Sequence, residues 1–477
     1  MVQSASEQPE QGQEAVPHLL KPPGQILSTM ESDGSRRWLK PKVSDGRYLR
    51  RRRIVAALLI FVFTLLPFLK YDGRPLLLLD IMNREFFVFG LRILPTDTAI
   101  MALGMVFVFL SIFWFTAVFG RVWCGWACPQ TVYMEFVFRP IERWADGTWG
   151  KGGKAKGAAV PWRQVVKYGL YFVISFYLAH TFLAYFVGMD NLIKWVWRST
   201  PFEHPWAFGI VTLVTIAMLF DFGFFREQLC IIACPYGRFQ SVLLDRSSRV
   251  VSYDKARGEP RHKGRRKEMS PDLPIVGDCV DCRKCVTTCP TGIDIRDGLQ
   301  LECINCAQCI DACDDVMEKI GRPQGLIHYS SQMEDEGQRF SLFRPRILIY
   351  PIVLLALVTG IVTLVMGRKS FDVAINRERG LPYQKVESDR IANTFTMHLV
   401  NRSRDDAVLT LVGVEPAEVD VKTTSDEIPI EGEKSVTAGL RAVAPASLFK
   451  DHWLPVKVTF RSDQGDERVI SFRMAGP

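Results

Sequence analysis

Eight of the chain's twelve cysteines lie between Cys279 and Cys313, in the run CVDCRKCVTTCPTGIDIRDGLQLECINCAQCIDAC. Cys279, Cys282, Cys285 and Cys289 read C-x2-C-x2-C-x3-C-P. Cys303, Cys306, Cys309 and Cys313 repeat C-x2-C-x2-C-x3-C, with Asp314 where proline would stand. This is the spacing that holds paired [4Fe–4S] clusters in bacterial ferredoxins. Three thiolates two residues apart wrap three corners of a cubane, and the fourth corner comes from the other run. The expected sets are Cys279, Cys282, Cys285 with Cys313, and Cys303, Cys306, Cys309 with Cys289. A zinc site needs only two C-x2-C pairs, which the doubled pattern exceeds. Disulfides are disfavoured if the segment faces a reducing cytoplasm.

The other four cysteines form a second constellation. RVWCGWACPQT and REQLCIIACPYGR both carry C-x3-C-P, giving Cys124, Cys128 and Cys230, Cys234, each just after an apolar run. On a continuous helix, residues i and i+4 share a face, so each pair is expected to point two sulfurs the same way. The match between the two segments reads as a weak internal repeat. Soft thiolates select Cu(I), zinc or iron–sulfur clusters; the competing reading is buried, inert cysteine.

The elements that must carry these groups are membrane spans. The 477 residues are 48% hydrophobic and 23% charged, with net charge +8. The apolar residues are gathered in runs of about the twenty residues that cross a bilayer. Five candidates run from Ile54 to Leu69, Thr98 to Gly120, Tyr168 to Val187, Trp206 to Phe225 and Ile347 to Gly367. PLLLLDIMNREFFVFGLRI, between the first two, is broken by Asp80, Arg84 and Glu85 and is read as interfacial or packed on the bundle.

Lysine and arginine crowd the segment before the first span, the loop after the second and the stretch after the fourth (KARGEPRHKGRRK, residues 255–267). By the positive-inside rule these face the cytoplasm, and five crossings put everything beyond Gly367 outside. The basic stretch reads as a patch on anionic headgroups, not a nucleic-acid site. The expected organisation is a polar, poorly ordered cytoplasmic segment (1–49), a four-span bundle with both C-x3-C-P motifs (50–244), a cytoplasmic ferredoxin-like domain (245–340), a fifth span (341–367) and an outer domain (368–477). Runs such as NTFTMHLVNRS, AVLTLVGV and LPVKVTF alternate in the last part and predict an antiparallel sandwich.

Lone residues are weighed in the same way. Asp221, near the end of the fourth span, is read as interfacial, with a role beside Cys230 as the alternative. His180 within the third span is assigned to helix-to-helix hydrogen bonding, and Met397, His398 and His452 are read as sheet residues.

Taken together, GRVWCGWACPQT, FREQLCIIACPYGRFQ, the eight-cysteine run and KSFDVAINRERG make a chain that resembles the CcoG/RdxA/FixG group of cytochrome c oxidase accessory proteins. The resemblance covers residues from about 45 to the end. It implies a polytopic membrane protein of the bacterial inner membrane, with a 2[4Fe–4S] ferredoxin-like insertion and a periplasmic immunoglobulin-like domain. It also implies a Cu(II) to Cu(I) reductase that supplies the haem–copper centre of a cbb3-type oxidase. Expected partners are copper, a cytoplasmic electron donor, and oxidase assembly factors or a copper transporter. Cys124, Cys128, Cys230 and Cys234 are then the copper or electron-exit candidates. Two other readings stand beside it: a quinol-oxidising polyferredoxin, and a non-enzymatic assembly scaffold.

Overall fold

The computed structural model describes residues 28–30, 33, 35–94, 97–155, 160–237, 243–244, 246–262, 277–335, 337, 345–378, 380–387 and 389–477. The chain divides into two compact units, Met1–Val358 and Thr359–Pro477.

In the first unit, α1 (Arg47–Leu65) is followed by α2 (Thr98–Phe119), α3 (Val122–Trp126), α4 (Pro129–Tyr133), α5 (Arg139–Ala145), α6 (Pro161–Val187), α7 (Met189–Arg198) and α8 (Pro205–Phe220). Proline opens α4, α6 and α8 at a position where its missing N–H costs nothing. Among the described residues, four helices are long and apolar enough to cross a membrane: Thr98–Phe119, Pro161–Val187, Pro205–Phe225 and Ile347–Met366. α6 is the central one, with 44% of its apolar window buried against protein; α2 and the 205–225 helix leave most of theirs for lipid. α1 differs because Arg47, Arg50, Arg51, Arg52 and Arg53 fill its first two turns. The segment 77–93, read as non-spanning, is a three-stranded antiparallel sheet of Leu77–Asp80, Glu85–Val88 and Leu91–Ile93.

The segment before α1 corrects an expectation. Residues 35–46 are held rather than loose, because their polar groups find partners in the cysteine-rich domain and beside it. Lys42 N donates to Thr287 O at 2.9 Å, Thr288 Oγ1 donates to Lys42 O at 2.8 Å, and Lys40 pairs with Asp146 at 2.5 Å. Residues 1–27 lie outside the described residues, as does part of the basic stretch 255–267. Its folded portion serves the domain itself: Arg257 Nε donates to Asp278 Oδ2 at 2.6 Å.

The cysteine-rich domain pairs Val250–Tyr253 antiparallel with Ile327–Ser330 and carries two short helices, Lys284–Thr288 and Gln308–Lys319. The second unit is a two-sheet antiparallel sandwich. One sheet runs Asp420–Thr423, Ser435–Pro445, Arg390–Asn401, Phe371–Arg377, with Gln384–Glu387 also on Arg390–Asn401. The other runs Glu427–Ile430, Ala407–Glu415, Trp453–Ser462, Glu467–Ala475. Trp453–Ser462 alternates strictly, burying Leu454, Val456, Val458 and Phe460. Met397 is buried in this core, and His398 Nδ1 lies 3.2 Å from Thr437 Oγ1 across the pair of strands, so both serve the sheet as expected.

Candidate iron–sulfur and thiol centre

The two cysteine runs have matching backbones. Asp281 and Arg283 in the first take φ of 45° and 54°, and Asn305 and Ala307 in the second take 53° and 59°. Four non-glycine residues in the left-handed region, two at equivalent places in each run, are costly unless the surroundings impose them. Such turns aim successive N–H groups into one concavity, the backbone nest seen around anions and iron–sulfur groups. The donor set fits as well. Cys279, Cys285, Cys303 and Cys306 are buried, Cys289, Cys309 and Cys313 half-buried, and Cys282 alone is exposed. Cys285, Cys289, Cys303, Cys306 and Cys309 line one cavity.

Electrostatics sorts the thiols in the same way. Burial pushes Cys285, Cys303 and Cys313 up to about 12 and Cys306 up to about 11. Smaller upward pushes on Cys313 come from Cys285, Cys282 and Cys279, and those on Cys303 and Cys306 include Cys289. Cys313 thus lies near the first run and Cys289 near the second, while Cys285 also borders the cavity of Cys289, Cys303, Cys306 and Cys309. Among the described residues no three His, Cys, Asp or Glu side chains are placed to hold a single metal ion. A cubane gives each of four irons its own thiolate, which calls for wider spacing.

The C-x3-C-P pairs depart from the helical expectation. Cys124 sits in α3, but Cys128 is extended at φ −62°, ψ 126° and caps α4; Cys230 lies in a π turn (Leu229–Ala233) and Cys234 is extended at φ −71°, ψ 113°. Each second cysteine precedes proline, which disfavours the helical region for it. The same break in both motifs brings the pairs together. Burial pushes the Cys230 thiol well above the ordinary range, and Cys128, Cys124, Cys234 and Asp221 add to it. Cys128 is likewise raised, chiefly by burial, with Cys234 contributing.

The structure draws Asp221 into this group rather than to the interface. Gln130 Nε2, two residues past Cys128, donates to Asp221 Oδ1 at 3.1 Å and to Arg226 O at 3.2 Å, tying the first motif to the second. His180 bonds within its own helix instead of to a neighbour: its Nδ1 lies 2.9 Å from Phe176 O.

The first motif rests on the second cysteine run. A Cβ on Gly125 would stand 2.4 Å from Ile304 O and 2.8 Å from Cys306 Cα, so only glycine allows this approach. Trp126 Nε1 donates to Asn305 O at 3.3 Å, where Tyr329 Oη also donates at 2.7 Å. Arg121 donates to Leu301 O and Gly237 O and, at 3.4 Å, to Cys303 O. Arg52 donates from Nε to Gly125 O at 2.9 Å and from Nη1 to Gln308 Oε1 at 3.4 Å. Beside the first cysteine set, buried Arg296 spans Asp294 and Asp281, with Nη1 2.6 Å from Asp281 Oδ1. Sequence reasoning missed Gly125, Arg52, Arg121 and Arg296. The signals were a glycine inside the first motif and an arginine just before it, while Arg52 was read only as part of the basic flank that sets topology.

Three family models match the chain. Residues 225–332 match a 4Fe-4S dicluster domain, 101–152 a 4Fe-4S binding domain, and 361–474 the immunoglobulin-like fold at the C-terminus of FixG. Protein RdxB of Cereibacter sphaeroides is 35% identical over 384 residues, covering 76% of this chain and 79% of that protein. Protein RdxA of the same organism is 34% identical, covering 77% and 80%. The nitrogen fixation protein FixG of Rhizobium meliloti is 32% identical over 422 residues, covering 79% of each. With four helices fit to cross a bilayer, two matches to iron–sulfur domains and this shared length, the chain is a membrane iron–sulfur protein of electron transfer and belongs to the RdxA/RdxB/FixG family.

Proposed function

We propose that the protein is a membrane-bound cupric reductase, whose Cu(I) serves assembly of the haem–copper centre of a cbb3-type oxidase. The observation that carries this reading is the packing of the first motif, between Cys124 and Cys128, on the loop of Cys303 and Cys306, with Cys230 and Cys234 of the second motif as its neighbours. No three of these thiols surround one point, so copper would take two of them at a time. Cys279, Cys282, Cys285 and Cys313 would hold one [4Fe–4S] cluster, and Cys303, Cys306, Cys309 and Cys289 the other. Bound there, they supply one-electron reducing equivalents drawn from a cytoplasmic donor.

The chain's own residues do the rest. Cys282, the exposed ligand, marks the side open to a donor. Gly125 and Arg52 keep the first motif in contact with the second cysteine run. The motif thiols take copper as substrate: Cu(II) gains one electron, and the resulting Cu(I) is the state that sulfur ligands favour. Metal binding displaces the protons that burial keeps on Cys128 and Cys230.

The proposed orientation places the N-terminal segment and the cysteine-rich domain in the cytoplasm of a bacterial inner membrane, and the sandwich in the periplasm. Contacts within the first unit support it. The segment before α1 and the motif after α2 both touch the cysteine-rich domain. On this reading α2, which ends on that side, starts on the other, and α1 crosses with its apolar later turns. Partners follow from the reading: copper, a cytoplasmic electron donor, and an oxidase assembly factor or copper transporter.

The test is anaerobic Cu(II) reduction by purified protein, reduced with dithionite and freed of excess, comparing wild type with Cys124→Ser/Cys230→Ser and counting iron in both. About eight irons per chain are expected in each, with Cu(I) production lost in the variant. Undiminished copper reduction by the variant refutes the assignment. A wild-type count near twelve that falls to about eight in the variant puts a third cluster on the motif thiols instead.

A further inference from the structure

A cavity of about 290 Å³ lies where the N-terminal segment, the first half of α1, the π turn Met134–Phe138, α5 and residues 288–290 of the cysteine-rich domain meet. Its charge is one-sided: Lys42, Arg52, Arg53 and Arg143 line it against Glu135 alone. That carboxylate is already engaged, since Arg139 pairs with its Oε1 and Arg143 Nη2 stands 3.9 Å from its Oε2.

Arg52 is the informative residue. It is 2% exposed, and its Nε and Nη1 are satisfied by Gly125 O and Gln308 Oε1, but its Nη2 is buried with no hydrogen-bond partner. Several arginines bury an Nε in this way, but among the described residues Arg52 is the one whose terminal Nη is buried with no hydrogen-bond partner, and that calls for an explanation. Thr288 and Gln308 aside, the rest of the lining is apolar, with Leu49, Ala57, Ile60 and Phe136 its wall, and the first three lie on α1 as its sequence turns from basic to apolar. A cationic end beside an apolar wall, at the point where a helix enters the bilayer, fits an anionic head with a hydrocarbon tail.

We propose that this cavity binds a phosphate headgroup, and that its source is an acidic phospholipid whose chains lie along α1. The phosphate oxygens neutralise Lys42 and Arg53, whose Nη2 stands 3.9 Å from Asp45 Oδ1, and the Arg52 guanidinium, its own Nη2 closed off from solvent, turns to donate to them. The same guanidinium holds the first C-x3-C-P motif and the Gln308 helix together, so the lipid stiffens the docking of the cysteine-rich domain on the membrane bundle. This inference does not depend on copper chemistry.

The test uses the full-length, cluster-loaded protein, stripped of lipid in a neutral detergent. Native mass spectrometry and the thermal unfolding midpoint are followed with phosphatidylglycerol, phosphatidylcholine or inorganic phosphate. Phosphatidylglycerol is expected to bind and raise the midpoint by a few degrees, phosphatidylcholine to do neither, and inorganic phosphate to act only at far higher concentration. Lys42→Gln/Arg53→Gln removes charge from the rim and leaves the buried braces in place. It is expected to weaken phosphatidylglycerol binding about tenfold or more, the worth of one or two charge-assisted contacts, with iron content unchanged. For Arg52→Gln the readout is the lipid-dependent increment in midpoint, expected to vanish, because the absolute midpoint also falls with the lost braces. Equal protection by inorganic phosphate and phosphatidylglycerol at matched concentration overturns the lipid as the source. Equal binding of the two lipids, or a rim variant that binds like wild type, overturns the site.

Discussion

On the proposed function, electrons reach the motif thiols across the contact that Gly125→Ala disturbs. The added methyl carbon would stand 2.4 Å from Ile304 O, 2.8 Å from Cys306 Cα and 2.9 Å from Cys306 N, all backbone atoms that no rotamer change can move aside. Ordinary contact begins at 3.4 Å, so the two segments must part by about 3.4 − 2.4 = 1.0 Å. Overpacking of this kind costs about 1–3 kcal/mol, at about 2–4 °C of unfolding midpoint per kcal/mol in a protein of some 200 residues and less in a larger one. The effect on rate is larger, because a misplacement of about 1 Å costs up to about a hundredfold in a step that depends on positioning. In stopped flow, the visible absorbance of the reduced protein is followed after mixing with Cu(II). Gly125→Ala is expected to slow reoxidation tenfold to a hundredfold, with iron content and equilibrium Cu(I) binding as in wild type. Gly104→Ala, in α2 with nothing within 4 Å of the new carbon, is the control and is expected to change neither. Wild-type reoxidation in Gly125→Ala would mean that electrons do not leave through the loop of Cys303 and Cys306.

Other consequences are testable in the same preparation. Arg226 holds Glu142 through Nη1 at 2.8 Å and Nη2 at 3.0 Å, fastening the start of the second motif to α5; Glu142→Gln breaks a largely buried pair and is expected to destabilise by about 3–5 kcal/mol, read by thermal unfolding, and a change under 1 kcal/mol would show the fork to be incidental. In the sandwich, Met397 is fully buried, so Met397→Ala is expected to cost about 2–5 kcal/mol while leaving Cu(II) reduction intact; lost reduction in a folded variant would make it a copper ligand. A fluorescent reporter that matures only in the cytoplasm, fused after Pro477, is expected to stay dark, and a bright fusion would mean that α1 does not cross.

The parts of the site legible in the sequence are those with local determinants. Three cysteines of each run lie within seven residues, so their spacing alone marks an iron–sulfur domain, and the doubling of the run marks two clusters. The motif thiols were legible as a group but not in their geometry. Spacing of four residues reads as one helical face, yet Pro129 and Pro235 force Cys128 and Cys234 out of the helix, and the backbone rule outranks the periodicity. The docking contacts were not legible at all. Gly125, Arg52 and Arg121 act on residues about 180 to 260 positions away along the chain, and a glycine or arginine carries no mark of its distant partner. Residues 35–46 misled for a similar reason: a polar segment looks unstructured until the domain that satisfies its backbone is known.

The order of the chain explains how one docking surface serves both motifs. α2 and the helix that ends at Phe225 finish on the same side, and the cysteine-rich domain begins only a short tether beyond Cys234. That tether would leave the domain tied to the second motif alone. The turn that ends α2 prevents it. Gly120 adopts φ +60°, and a Cβ there would meet Arg249 O at 2.5 Å, so the chain leaves α2 directly beneath the start of the Val250–Tyr253 strand. The next residue, Arg121, then reaches both Gly237, just past the second motif, and the backbone of Leu301 and Cys303. A single turn thus fixes the first motif, the end of the second and the second cysteine run to one another. Replacing Gly120 by a larger residue strains the backbone and pushes on Arg249 together, and both effects open the interface in which the four thiols meet the cysteine-rich domain.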